Sequence, residues 1–332
     1  MAITTLADMK FIPDKFNKYV LQRTTEKSAL VRSGIITTSP EYSELINGSG
    51  GQFITMPFFQ PLAGEDDVFT EDDIETGNIQ SGKGTAPVLM RVKGWAETDL
   101  SKALSGEDPL GATAEQISDW WVGREQQILL SILKGILDPS TGTLKAHVND
   151  ISTGIGSAAN ISVGATLDTK QTMGDAAQSL GLIAMHSAVY TYLQKMQQIE
   201  FVTDAETNIT IARYLNYDIL VDDGILPVNG AYTTYLLGSG AFGRADGTPK
   251  GFVPSEIERS AKGSKTSLYN RRAMILQPQG ISWEKLGGYS NPKHTTPANI
   301  DLATSSNWKA IVDHKNIPIT AIKHKIDVPA GA

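Results

Sequence analysis

Thr113-Ala-Glu-Gln-Ile-Ser-Asp-Trp120-Trp-Val-Gly-Arg-Glu-Gln-Gln-Ile-Leu-Leu130-Ser-Ile-Leu-Lys-Gly-Ile-Leu137 carries the clearest periodic signal in the chain. Ile117, Trp121, Ile128, Ile132, Leu133, Ile136 and Leu137 recur at helical spacing and predict one apolar stripe. Thr113 and Gln116 can form a capping box at the start, and Asp138-Pro139 stops the helix. At ~1.5 Å per residue it would run roughly 37 Å. Adjacent Trp120 and Trp121 cannot share a face, so one of them should pack away from the main seam.

Upstream lies a long polar excursion. Gln52-Phe-Ile-Thr-Met56 reads as a strand ended by Pro57, and Val88-Leu-Met-Arg-Val-Lys-Gly-Trp95 reads as a second. Between them stand Glu65, Asp66, Asp67, Glu71, Asp72, Asp73 and Glu75 with no base, then the glycine-rich Gly77-Asn-Ile-Gln-Ser-Gly-Lys-Gly84. Loops beyond about 12–15 residues in a compact domain are usually functional or belong to a partner. A lone two-stranded ribbon is marginal in water, so this one makes sense lying on a neighbouring subunit. The acids require a basic complement, either Arg91 and Lys93 on the returning strand or the Lys309 to Lys325 region of a neighbour. Residues 1–50 read as an extended arm, with Phe11, Phe16, Tyr19, Val20 and Leu21 enough for one or two amphipathic turns before Pro40 and Asn47-Gly-Ser-Gly-Gly51 break the chain.

Downstream, residues 139–166 read as a Gly/Ser/Thr/Asn-rich connector with modest strand character and 167–310 as an α/β unit. A helix is expected over Asp168–Leu180 and a buried strand at Leu182-Ile-Ala-Met185. His186 then restarts a helix capped by Ser187. Strands are expected at Asn208–Ile211, Tyr217–Val221, Thr233–Leu237 and Ala273–Met274-Ile-Leu276, with a tight turn at Asp222-Asp-Gly224. The tail holds strand signals at Trp308–Val312 and Ile317–Lys323.

The chain has 332 residues, net charge −7 and no cysteine, which excludes disulfides, thiolate metal sites and cysteine nucleophiles. A coat that grips DNA phosphates would cluster Lys and Arg instead. No apolar run approaches the ~20 residues of a membrane span, and the N-terminus does not read as a signal peptide, so a soluble protein is expected.

Two glycine motifs invite a nucleotide reading, and both fail on context. Gly77-x-x-x-x-Gly82-Lys83 has Gly84 where Ser or Thr would hold magnesium, and a strand pattern follows where a helix is needed. Gly238-Ser-Gly-Ala-Phe-Gly243 does follow a strand, but Gly247, Pro249 and Gly251 break the required helix; a turn leaving a sheet is the better reading. No two of His147, His186, His294, His314 and His324 stand at metal-ligand spacing, and no G-x-S-x-G elbow exists. His186 reads as structural, while His314 and His324 among Lys309, Lys315, Lys323 and Lys325 read as a basic surface. The acids of 65–75 lack the EF-hand spacing. No catalytic residue, cofactor or metal site is expected.

Taken in order, arm, acidic excursion, long helix, α/β unit and returning strand resemble the major capsid proteins of tailed bacteriophages, a fold shared with encapsulins. Trp120-Trp-Val-Gly-Arg-Glu-Gln-Gln-Ile-Leu-Leu130 resembles their spine helix. Met185-His-Ser-Ala-Val-Tyr-Thr-Tyr-Leu193 resembles the strand-to-helix passage of the axial domain, and Asp222-Asp-Gly224 with Tyr235-Leu-Leu-Gly-Ser-Gly-Ala-Phe-Gly243 resembles the turns that follow. The resemblance implies an α+β phage capsid (Hong Kong 97-like) fold. Its parts would be an N-arm over 1–50, an extended β-hairpin loop over 51–105, a peripheral domain with the spine helix over 106–165, an axial α/β domain over 166–310, and a 311–332 tail that returns to the peripheral domain.

Further implications are a homo-oligomer of hexamers and pentamers in an icosahedral head shell that encloses double-stranded DNA without sequence-specific binding. It would be made in the host bacterial cytoplasm, end in the virion and touch no membrane. A portal and a decoration protein are the further partners. The segment before the loop is too short for a long helical scaffold, which implies a separate scaffolding protein. Some relatives cross-link a loop Lys to an Asn; Lys83 is the sole loop candidate, with no matching Asn motif. The inter-subunit contacts are expected at the seven acids named above together with Lys83, Arg91 and Lys93. The alternatives are an encapsulin-like compartment enclosing a protein, a nucleotide-using α/β enzyme built on Gly238–Gly243, and a tail or neck component, against which the long helix speaks.

Overall fold

The computed structural model describes residues 34–49, 51–59, 81–98, 113–203, 210–260 and 264–326. The arm before residue 34, the seven acids of 65–75 and Gly77–Gln80 lie outside them, as does the Thr113 side chain of the expected capping box. In chain order the elements begin with β1 (Ile36–Thr38), α1 (Pro40–Ser49), β2 (Phe53–Phe59), β3 (Ser81–Pro87), β4 (Leu89–Thr98), α2 (Thr113–Ile136), β5 (Val148–Asp150) and α3 (Val163–Gln171). Then come β6 (Leu180–Met185), α4 (Ser187–Lys195), β7 (Glu200–Thr203), β8 (Thr210–Tyr214), β9 (Tyr217–Val221) and β10 (Tyr232–Gly238). The rest are β11 (Phe242–Gly247), β12 (Ser255–Ser260), β13 (Lys265–Pro278), β14 (Ile281–Trp283), α5 (Asn299–Leu302), β15 (Trp308–Ala310) and β16 (Ile319–His324).

Helix α2 forms where the periodicity puts it, and Ile117, Trp121, Ile128, Ile132, Leu133 and Ile136 are all buried. Asp138 ends it through its carboxylate, which accepts from the Ser140 and Thr141 backbone N–H groups at 2.9 and 2.8 Å. Trp120 packs off the seam, edge-on against Trp95 at 5.6 Å between ring centroids, with the Arg124 guanidinium 5.4 Å from its ring.

Two sheets sandwich this helix's core. One has five strands in the order β1-β11-β13-β12, with β4 on the other edge of β13. The fourteen-residue β13 is divided by the period-two rule: Leu268, Met274 and Leu276 join the α2 core, while Ala273 and Ile275 join a smaller core with Ile46, Ile54, Ala86 and Val88. The other sheet has seven strands in the order β5-β16-β10-β6-β9-β8-β7. Leu182 and Ala184, Tyr235 and Leu237, and Ile319 and Ala321 point to the α2 core. The alternating Ile183, Met185, Leu236 and Ile322 join a separate core that includes Val189 and Leu193 of α4. Each wholly buried Leu or Ile contributes about 1.5–3 kcal/mol relative to exposure.

The structure departs from the sequence reading in several places. The strands that bracket the excursion do not pair with each other: β2 pairs with β3 over seven residues, from Phe53 opposite Pro87 to Phe59 opposite Ser81. β4 leaves to pair with β13 over ten, from Lys265 opposite Thr98 to Met274 opposite Leu89. Residues 81–87 were hidden because Ser-Gly-Lys-Gly-Thr-Ala-Pro has almost no strand propensity; pairing overrides it. Residues 242–278 extend the sheet that holds β4, and β16 of the tail lies between β5 and β10. The connector also contains β5, paired in parallel with β16. Helix α3 starts five residues early because the Ser162 hydroxyl caps it, accepting from Ala165 N at 3.2 Å, and Gly174 (φ +58°) breaks the chain before β6. α4 is capped one residue earlier than expected, by His186 Nδ1, which accepts from Ala188 N at 3.0 Å.

The Gly238–Gly243 stretch is a turn between sheets. β10 ends at Gly238, Gly240 takes φ +70°, and Phe242 enters β11, a strand where a dinucleotide site needs a helix.

Candidate inter-subunit site

Of the ten expected contact residues, Lys83, Arg91 and Lys93 fall among the described residues. Lys83 is exposed on β3, opposite Pro57 in the β2–β3 ribbon. The ribbon leans on β14 and on the chain after β15: Thr85 N donates to Ser282 Oγ at 3.0 Å, and a Cβ on Gly84 would come within 3.2 Å of Ile311 Cδ1. A largely apolar cleft of about 430 Å³ opens beside it, lined by Tyr42, Met56, Phe242, Ile281, Ile311 and Val312 among others.

Arg91 and Lys93 share one face of β4, opposite Arg272 and Asn270 of β13. Lys93 is exposed. Arg91 is half-buried and donates from Nη2 to Asn299 Oδ1 at 3.3 Å; burial lowers its pKa, with the Asp301 charge pulling the other way. Lys83 stands apart from them in the separate ribbon.

The reading of His324 as part of a basic surface is corrected, while His314 is exposed as that reading expects. His324 is wholly buried, held by a 2.8 Å hydrogen bond between Nε2 and Thr234 Oγ1, and burial pushes its pKa down to about 4. It lies at the end of β16, where Tyr232 of β10 stands opposite it. One edge of the exposed His314 ring, Nδ1, stands 2.9 Å from Nε2 of buried His147, whose own Nδ1 lies 2.9 Å from the Ile319 carbonyl oxygen. Burial lowers the His147 pKa. Two nearby lysines have acid partners of their own: Lys323 Nζ lies 3.2 Å from Asp150 and Lys315 Nζ 3.8 Å from Asp175.

The largest polar feature went unforeseen. Beneath α2, Glu125, Arg244, Asp246 and Arg272 form a buried, charge-neutral quartet. Arg244 Nε donates to Glu125 Oε1 at 2.6 Å and its Nη2 lies 2.7 Å from Asp246 Oδ2. Arg272 Nε donates to Asp246 Oδ1 at 2.7 Å. Its Nη2 stands 3.2 Å from Glu125 Oε2, an ion-pair contact without hydrogen-bond alignment. Burial alone would raise the Asp246 pKa, but the charges of Arg272 and Arg244 outweigh it and hold the carboxyl below its ordinary value. Beside the quartet, Trp121 Nε1 donates to Asn270 Oδ1 at 2.6 Å, and Asn270 Nδ2 donates to Ser255 Oγ at 2.8 Å. Glu125 and Trp121 tie the helix to the sheet, and Asp246 joins Arg272 across β11 and β13. The only sequence signal was Arg244 and Asp246 at strand spacing around the apolar Ala245.

Among the described residues no three His, Cys, Asp or Glu side chains are arranged to hold a metal ion, and no helix is long and apolar enough to cross a membrane.

No profile of a known protein family matches the chain. Solved structures similar to it are phage-type capsids. The capsid of Ralstonia phage GP4 is 10% identical with a TM-score of 0.53, covering 92% of this chain and 91% of that one. The capsid of Cyanophage P-SCSP1u is 10% identical with a TM-score of 0.54, covering 90% and 88%. At such low identity these matches define the fold, and it is the tailed-phage capsid fold. The major capsid protein of Bacillus phage SPP1 is 34% identical over 335 residues, 98% of this chain and 99% of that protein. The chain therefore belongs to the major capsid proteins of tailed phages, structural proteins of the phage shell.

Proposed function

We propose that copies of this chain form the hexamers and pentamers of an icosahedral head shell that holds double-stranded DNA. The observation that carries the reading is end-to-end similarity to a phage major capsid protein, with no large segment of either chain left over. Rings of identical subunits require head-to-tail contacts, in which one surface meets a different surface of the next copy. In this reading α2 and the five-stranded sheet form the peripheral domain, to which residues 242–278 contribute. The seven-stranded sheet with α3 and α4 forms the axial domain. The net charge of −7 suits a wall that holds DNA without gripping it. A separate scaffolding protein, a portal and a decoration protein complete the particle, which is made in the host cytoplasm.

The contact we propose places Glu65, Asp66, Asp67, Glu71, Asp72, Asp73 and Glu75 of one copy against basic groups of the next. Support for Lys93 as a complement is its exposure, which Lys309 shares, since Arg91 is engaged by Asn299 and Lys315 and Lys323 by acids of their own chain. Such pairing sets register and encounter rate more than affinity. The test is density-gradient sedimentation of wild type, Lys93→Glu and Lys83→Glu subunits across a salt series. Assembly should slow at low salt in Lys93→Glu; unchanged assembly at every salt would reject the contact. Intact subunit mass from mature particles tests processing: an unchanged monomer mass excludes both cleavage and a Lys83 cross-link.

A further inference from the structure

The turn between β9 and β10 places apolar residues where turns ordinarily carry polar ones. Leu226 is 72% exposed and Val228 53%, with exposed Pro227 between them. Scattered single apolar side chains on a surface need no explanation. Two large ones flanking a proline in one loop do, because Gly, Pro, Asn, Asp and Ser are the usual residues there and exposed apolar runs favour association.

The loop is rigid at both ends. At its start Asp222 N donates to the Met185 carbonyl at 2.9 Å, and the Asp222 carboxylate accepts from Gly224 N at 2.7 Å. Asp223 accepts from Ser187 N at 3.2 Å, which ties the loop to the first turn of α4. Ile225, 4% exposed, anchors it in the α2 core, and a Cβ on Gly224 would stand 3.0 Å from Leu130 Cδ1 of that helix. At its end Val228 and Ala231 exchange both backbone hydrogen bonds, 2.9 and 3.0 Å, across Asn229 (φ +53°) and Gly230 (φ +76°), a two-residue hairpin turn. Leu226, Pro227 and Val228 are thus held out in a fixed shape, and ordering them on contact costs little.

We propose that residues 226–228 are a docking knob for a second copy of this chain in the assembled shell. The inference rests on the shell reading above. It commits to a copy of the chain because the knob is apolar and its root carries Asp222 and Asp223, which would repel nucleic-acid phosphates. A shell subunit meets chiefly other copies of itself, and a head-to-tail contact needs no matching knob on the partner's surface.

The chain has no cysteine, so Leu226→Cys introduces a single thiol of known position. Its reaction with a small maleimide is followed in free subunits and in gradient-purified shells, assembled alone or with co-expressed scaffolding protein. The thiol should react readily in free subunits and at least about tenfold more slowly in shells, as expected for a water-excluded contact. Equal rates would overturn the proposal. Slow reaction in the free subunit would also overturn it, since the chain itself would then cover the knob. Val228→Asp supplies a second reading: subunits that melt as wild type does but form no shells support the contact, and wild-type shell yields reject it. Failure of the wild type itself to form shells is a different result, which removes the shell reading and the knob with it.

Discussion

Arg244 Nε lies 2.6 Å from Glu125 Oε1, and each side chain is only 3% exposed. This contact joins the middle of α2 to β11, and Asp246 and Arg272 extend it to β13. A buried ion pair is weak evidence for net stability, because desolvation offsets much of the attraction. Its removal by halves is another matter. The helix supplies Glu125 to the quartet, and with the Trp121–Asn270 hydrogen bond this gives α2 two polar anchor points on the sheet.

Replacing Glu125 by Ala leaves two buried guanidinium groups facing one carboxylate. The expected cost is about 3–5 kcal/mol, the usual loss when one partner of a buried pair is deleted. Denaturant unfolding of the subunit measures it; a loss under about 1 kcal/mol would mean that water reaches the quartet and the helix is not held there.

Very little of this quartet was legible in the sequence. Glu125 lies 119 residues from Arg244, and nothing local marks either as buried. The long helix was legible because its period is local, as were the Leu182–Met185 strand, the Asp222–Gly224 turn and the rejection of a nucleotide site at Gly238–Gly243. Register between distant strands is set by tertiary pairing, so β3 stayed hidden in a glycine-rich stretch, and the burial of His324 at the end of β16 could not be seen. Of the contact residues, Lys93 and Lys83 are on the surface, while Arg91 is half-buried against Asn299.

Acid should weaken the fold through His324. Its buried imidazole takes up a proton only near pH 4, against an ordinary value of 6.5. Between those values the unfolded chain binds more protons, so stability is complete above about pH 6.5 and is lost as pH falls toward 4. His147, also lowered by burial, acts in the same direction. Thermal melts from pH 7.5 to 4.5 should show a shallower decline for His324→Gln than for wild type. Parallel curves would place the proton uptake elsewhere.

Gly238 is required by close approach. A Cβ there would stand 2.6 Å from both the Ser179 carbonyl oxygen and Pro318 Cβ, neither of which is the free end of a flexible side chain. Gly238→Ala should destabilise the subunit by about 1–3 kcal/mol, the typical cost of overpacking. A melting temperature equal to that of wild type would show that the β10 end yields to the extra methyl group.

The central claim is assembly, and electron microscopy of the purified chain tests it most directly, at low and moderate salt, alone and co-expressed with a scaffolding protein. Closed shells of uniform size, with six-fold and five-fold clusters on their surface, are the predicted result. Uniform monomers or small oligomers under all of these conditions would contradict it.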